Sequence, residues 1–188
     1  PGDSALDAVF KYFGVDDSDP QKPTFVIGRA RDNFRQMASD QLRLVQLIGS
    51  LADLDILPEG APDGVPDLDV SRILYVGHSF GSVQGPSIFA LAPEISHALW
   101  NVGGDGLMML LRDSNTFSLI VSGLKPKDIP TPDGAVARFM TMTQAIVDPG
   151  DPINYARFAQ LEPFPSAPGW TPREVLLQEV VGDTIVPN

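Results

Sequence analysis

The sequence predicts an α/β protein, a mostly parallel sheet flanked by helices, on three observations. Short apolar runs rich in β-branched and aromatic residues recur at 73–76, 95–102 and 174–181, as buried strands require. A long segment at 30–54 carries apolar residues at steps of three and four, the pattern of an amphipathic helix. The first of the strands ends in Gly77-His78-Ser79-Phe80-Gly81, after which the pattern turns helical, so strand gives way to helix across one tight turn.

Size and charge bound the reading. With 188 residues and 43% hydrophobic content, the chain can bury one core, and residues 1–188 are expected to form a single domain. It contains no cysteine, which excludes disulfides and thiolate metal sites. A net charge of −11 argues against nucleic-acid partners and against adhesion to anionic membranes through a basic patch. No apolar stretch reaches the roughly 20 residues that span a bilayer. Pro1 is not an initiator methionine, and the sequence stops just after a candidate catalytic loop, so it reads as a piece of a longer protein.

The elements follow in order. Residues 5–13 suit a short helix that ends near Gly14 and an acidic turn. In the helix at 30–54, Phe34, Met37, Leu42, Leu44, Val45, Leu47, Ile48 and Leu51 recur at steps of three and four residues. Residues 57–70 form an acidic, turn-rich segment in which Asp63, Asp67 and Asp69 are close enough to suggest a calcium site, although turns alone also call for Asp and Gly. A helix is expected over 83–91, with Pro86 tolerated only near its first turn. Residues 95–102 read as the next strand, closed by Gly103-Gly104. The run starting at Leu107 opens another helix, whose Met108 and Met109 either line an acyl pocket or pack as core. From 114 to 169 the interval between strands is far longer than a crossover needs, with prolines at both ends. It is expected to be a cap insertion carrying helices at 135–147 and 152–161. The last strand, 174–181, leads into Gly182-Asp183.

The Gly77-His78-Ser79-Phe80-Gly81 stretch has the G-x-S-x-G form of a nucleophile elbow, in which serine occupies a strained turn and exposes its hydroxyl at a sheet edge. Glycines two before and two after it are expected to relieve clashes as the chain folds back. The Phe80 N–H, at the helix start, is the candidate oxyanion donor. Asp183, just past a strand on a glycine turn, is the candidate catalytic acid, and its order after the serine fits a triad. Only His78 and His97 are present. His78 adjoins the serine on a tight turn and reads either as packed or as a support behind the site, while His97 starts a strand away from the functional edge.

These motifs, with Asp67-Leu-Asp-Val-Ser-Arg72 and the terminal Val-Val-Gly-Asp-Thr-Ile-Val-Pro, resemble the α/β-hydrolase superfamily and its secreted bacterial lipase and esterase branches. The resemblance covers about 29–188, and the first twenty-odd residues lie outside it. It implies a serine carboxylesterase that works through an acyl-enzyme, with Ser79 as nucleophile, Asp183 as acid and no cofactor. It also implies a small-molecule or lipid ester substrate and an extracellular or cell-envelope location. The base in that family follows the acid, so here a histidine is expected from a segment outside this chain or from a companion polypeptide. In the resembled family a second oxyanion donor comes from an early loop, and Val26-Ile27-Gly28-Arg29 carries no signature for it. Two other readings stay open, a catalytically silent hydrolase-like binding module and calcium-dependent adhesion through the 63–69 loop.

Overall fold

The computed structural model describes residues 5–19, 24–59, 61–104, 106–118, 133–165, 171 and 173–187. Helix α1 (Ala5–Tyr12) is followed by two short strands, β1 (Val15–Asp16) and β2 (Thr24–Phe25), paired antiparallel. Then come α2 (Ile27–Ser50), β3 (Ile73–His78), α3 (Phe80–Leu91), β4 (Ile95–Asn101) and α4 (Leu107–Asp113). After them lie α5 (Asp133–Val147), two 3-10 turns at Asp148–Gly150 and Pro152–Tyr155, α6 (Arg157–Gln160) and β5 (Glu174–Gln178). Strands β3, β4 and β5 make a parallel sheet in that spatial order, packed against helices, which is the predicted α/β class.

The register explains which residues are inside. Tyr75, Ala98 and Val175 share one row, and Gly77, Trp100 and Leu177 the next but one along the strands. Ala98 and Trp100 are buried against Ile88 and Phe89 of α3, with Val45 of α2 in the same cluster. Strand β5 starts from Arg173, whose Nη1 donates to the carbonyls of Ala92 and Ile95 and whose guanidinium lies 4.0 Å over the Phe89 ring. On the opposite face, the row Val76, Leu99, Leu176 holds side chains that are 71% and 59% exposed at Val76 and Leu176. A parallel sheet is ordinarily covered on both faces. Here the described residues cover one.

Helix α3 is buried from Ser82 to Ala90, with little amphipathic character, as expected of a helix enclosed on all sides. It starts at Phe80, earlier than predicted, so Pro86 lies in its interior and not in its first turn. A Cβ at Gly85 would stand 2.5 Å from Nε1 of Trp100, so glycine is what lets α3 lie this close to β4. Gln84 ties α3 to α2, donating from Nε2 to the Phe34 carbonyl and to Ser87 Oγ.

Several boundaries moved for identifiable reasons. Strand β4 ends at Asn101 because Val102 adopts φ 57°, outside strand geometry. Its neighbour β5 therefore loses its partner after Gln178, short of the predicted 181, and Val181 is 99% exposed. The predicted helix at 152–161 is a 3-10 turn followed by the single turn of α6, and its first residue's neighbour, Asp151, caps the turn by accepting from Ile153 N.

Of the expected cap, 119–132 and 166–169 lie outside the described residues. Its described helices flank the molecule: α5 packs on α2 and α4, and the 152–160 stretch packs on α3 and reaches β5. Among the described residues, no helix is long and apolar enough to cross a membrane.

Candidate active site

Ser79 occupies the junction of β3 and α3 with φ 52° and ψ −117°, a backbone conformation that side-chain-bearing residues rarely adopt. Its neighbours hold it there. The Ser79 N–H donates to the carbonyl of Asn101 at 2.9 Å, pinning the turn to the end of β4. Its own carbonyl accepts from Ser82 N and Val83 N at 2.8 and 3.0 Å, starting the helix. The strain is thus imposed by hydrogen bonds on both sides.

The two flanking glycines differ. A Cβ on Gly77 would lie 2.6 Å from the Gly81 carbonyl oxygen and 2.8 Å from Ser82 N, all backbone, so no other residue fits there. A Cβ on Gly81 would meet only Tyr75 Oη, at 3.9 Å. The expectation that both glycines relieve clashes therefore holds at Gly77 and is corrected at Gly81. The Gly81 carbonyl instead accepts a 2.5 Å hydrogen bond from Tyr75 Oη, a phenol pushed up to about 12 by burial. Tyr75 thereby braces the turn from beneath.

Phe80 is the first residue of α3, where a backbone N–H has no carbonyl within the helix to bond. Phe80 borders the same cavity as Ser79. Its ring anchors it, edge-on to Tyr12 at 5.3 Å and to Phe34 at 5.4 Å.

Asp183 follows β5, and since β3 and β5 both run parallel to β4, their C-terminal ends share one sheet edge with Ser79. Its Oδ1 accepts from Ile185 N at 2.8 Å and Val186 N at 3.0 Å, forming a tight turn on itself. Those two N–H groups hold its carboxyl below the usual carboxylate range. Among the described residues no donor reaches Oδ2. Val186 beyond it is buried in the core with Val83 and Leu107, which fixes the loop.

Neither histidine serves Ser79. His97 Nδ1 is 2.8 Å from Ser96 Oγ and its Nε2 is 3.6 Å from Glu174, at the far end of the sheet. His78 is exposed at the end of β3 and is not packed, as one of the two readings of the sequence had it.

Met108 is buried in the core with Leu107, Leu110 and Leu111, while Met109 is exposed. Both line a groove of about 510 Å³ with Met140, Gln144 and Ile153, and neither lines the cavity of Ser79, which corrects their assignment to an acyl pocket. That cavity, about 420 Å³, is walled by Ala8, Val9, Tyr12, Phe13, Phe80 and Phe117. Four of its wall residues come from α1 and the residue that follows it. Nothing in the sequence pattern pointed to this, because the few apolar residues of a short helix do not reveal what they face.

The calcium reading fails locally. Asp63 accepts from Val65 N and Asp69 from Ser71 N and Ser71 Oγ, each closing its own turn, while Asp67 accepts from Ile56 N and Leu57 N and ties the start of the segment to its later part. Among the described residues, no three His, Cys, Asp or Glu side chains come together as a metal site.

One buried carboxylate escaped the sequence reading. Asp151, fully enclosed, accepts from Leu107 N at the start of α4 and from Gln144 Nε2, both at 2.9 Å. Burial raises its pKa above the ordinary Asp value, with nearby Asp148 adding to the effect. It ties α4 to α5 and lines no part of the Ser79 cavity. Comparison of the chain with family models, curated proteins and solved structures found no significant match, so the class of the site rests on its own geometry.

Proposed function

We propose that this chain carries the nucleophile, the acid and an oxyanion donor of a serine hydrolase of the α/β-hydrolase type that cleaves carboxylic esters. The observation that carries the reading is the strained backbone of Ser79 at a strand-to-helix turn, φ 52° and ψ −117°, opening onto an apolar cavity. Strain of this kind costs about 1–3 kcal/mol and persists where the surrounding structure enforces it, commonly at functional sites.

In this reading Ser79 Oγ attacks the ester carbonyl carbon while its proton passes to a histidine. The carbonyl oxygen becomes an oxyanion and accepts from Phe80 N–H. Collapse breaks the bond to the alcohol oxygen, which leaves with the histidine's proton, and water then hydrolyses the acyl-serine by the same steps. Asp183, ionised in the neutral range, orients the imidazole through its unoccupied Oδ2. The histidine comes from outside these 188 residues.

The location of both histidines supports a second reading, a binding module that keeps the elbow without the base. A fluorophosphonate probe with peptide mapping separates the two. Labelling of Ser79, lost in Ser79→Ala, supports the hydrolase. No labelling in the presence of the polypeptide that carries the histidine leaves the binding module.

A further inference from the structure

The cavity between α1 and the elbow defines what the site accepts. No charged side chain is among its walls, and the polar groups it presents are Ser79 and Tyr12. The Tyr12 hydroxyl is buried without a hydrogen-bond partner. A strongly polar or charged group placed there would give up its hydration and gain little, whereas an alkyl chain loses nothing. The volume, about 420 Å³, lies within the range of roughly 300–1,000 Å³ typical of small-molecule sites.

Orientation follows from the reaction. Once Ser79 Oγ has added to a carbonyl carbon and its oxygen faces Phe80 N–H, two substituents remain, the acyl chain and the leaving alcohol. The alcohol oxygen must face the histidine, hence the side where Asp183 stands. Asp183 does not border this cavity. The acyl chain is left to enter it.

The wall is held firmly enough to select. Asn33 Nδ2 donates to the Tyr12 carbonyl at 2.8 Å, docking the end of α1 onto α2. The Tyr12 ring lies edge-on to Phe34 at 5.4 Å, and Phe13 packs on Phe117 at 5.1 Å.

We propose that this cavity is the acyl-chain site, specific for uncharged alkyl chains, and that Val9 of α1 and Phe117, both in its wall, set the length it takes. The proposal rests on the ester-hydrolase reading, but its test does not depend on catalysis. In Ser79→Ala, bound Nile red is displaced by straight-chain primary alcohols from butanol to dodecanol. Affinity is expected to rise about four-fold per methylene, then level off where the cavity is full. Val9→Trp should fill the cavity and flatten the rise. Phe117→Ala should move the plateau to longer chains, which keeps the test decisive if the tryptophan variant fails to fold.

A series without chain-length dependence overturns the proposal, as does one that neither variant changes. So does a response that follows Met109→Asp instead, since that places the chain in the methionine-lined groove. The two readings fail separately. Ser79 labelling with a flat alcohol series removes the acyl site alone, and a length-dependent series without labelling removes the hydrolase alone.

Discussion

At the scale of single residues, Gly77 and Gly81 make different demands although the motif treats them alike. Gly77→Ala drives a methyl group into backbone that cannot yield and is expected to cost about 1–3 kcal/mol. Gly81→Ala, with room for a Cβ inside a helix, should be neutral or stabilising by up to about 1 kcal/mol. Thermal unfolding of the two variants checks the contrast, and equal losses would contradict the geometry. Tyr12→Phe removes a buried hydroxyl that has no partner and should raise stability by about 1 kcal/mol, read in the same experiment. The serine and the aspartate were legible because a G-x-S-x-G after a strand, and an acid after a later strand, are tied to backbone geometry. The wall of the cavity was not, because contacts between α1 and an elbow far along the chain leave no local pattern. The three aspartates at 63–69 were ambiguous for the same reason: spacing cannot say whether a carboxylate turns toward an ion or toward its own backbone.

At the scale of elements, α4 depends on a carboxylate supplied from beyond α5. Asp151→Ala leaves Leu107 N–H and Gln144 without their acceptor in a buried place and is expected to destabilise by about 1–3 kcal/mol. The pH dependence has a definite sign. Because burial raises the folded pKa of Asp151, its contribution to stability is full below the ordinary Asp value and declines as pH rises through the raised one. Asp183 acts in the opposite sense. Its lowered pKa means that the stability of its turn is present above the ordinary Asp value and is lost as pH falls through the lowered one. Denaturation curves of Asp151→Asn and Asp183→Asn against pH should therefore diverge from the parent's in opposite directions. The existence of these elements was readable from periodicity. Their ends were not, because β5 stops where β4 turns away at Val102, a tertiary event outside its own sequence.

At the scale of the whole molecule, the three strands were legible as three apolar runs, and their spatial order β3, β4, β5 comes from the structure. What the sequence could not convey is that the row Val76, Leu99, Leu176 stays uncovered by the described residues. An apolar patch of this kind lowers solubility. Val76→Lys with Leu176→Lys should delay concentration-dependent association of this chain, measured by sedimentation, without lowering its melting temperature. The strand order also has a consequence in time. Strands β3 and β4 are joined by α3 alone, whereas the chain leaves β4 at Asn101 and, among the described residues, next pairs with the sheet at Glu174. Closing that long loop costs entropy before any sheet bond repays it, so β5 is expected to dock last and to open first. Amide hydrogens of β5 should exchange before those of β3, and Asp183 is tied to β5 on one side and, through Val186, to the core on the other. The proposed acid is thus held partly by the last element to dock, so completing the proposed site is a folding event as well as a geometric one.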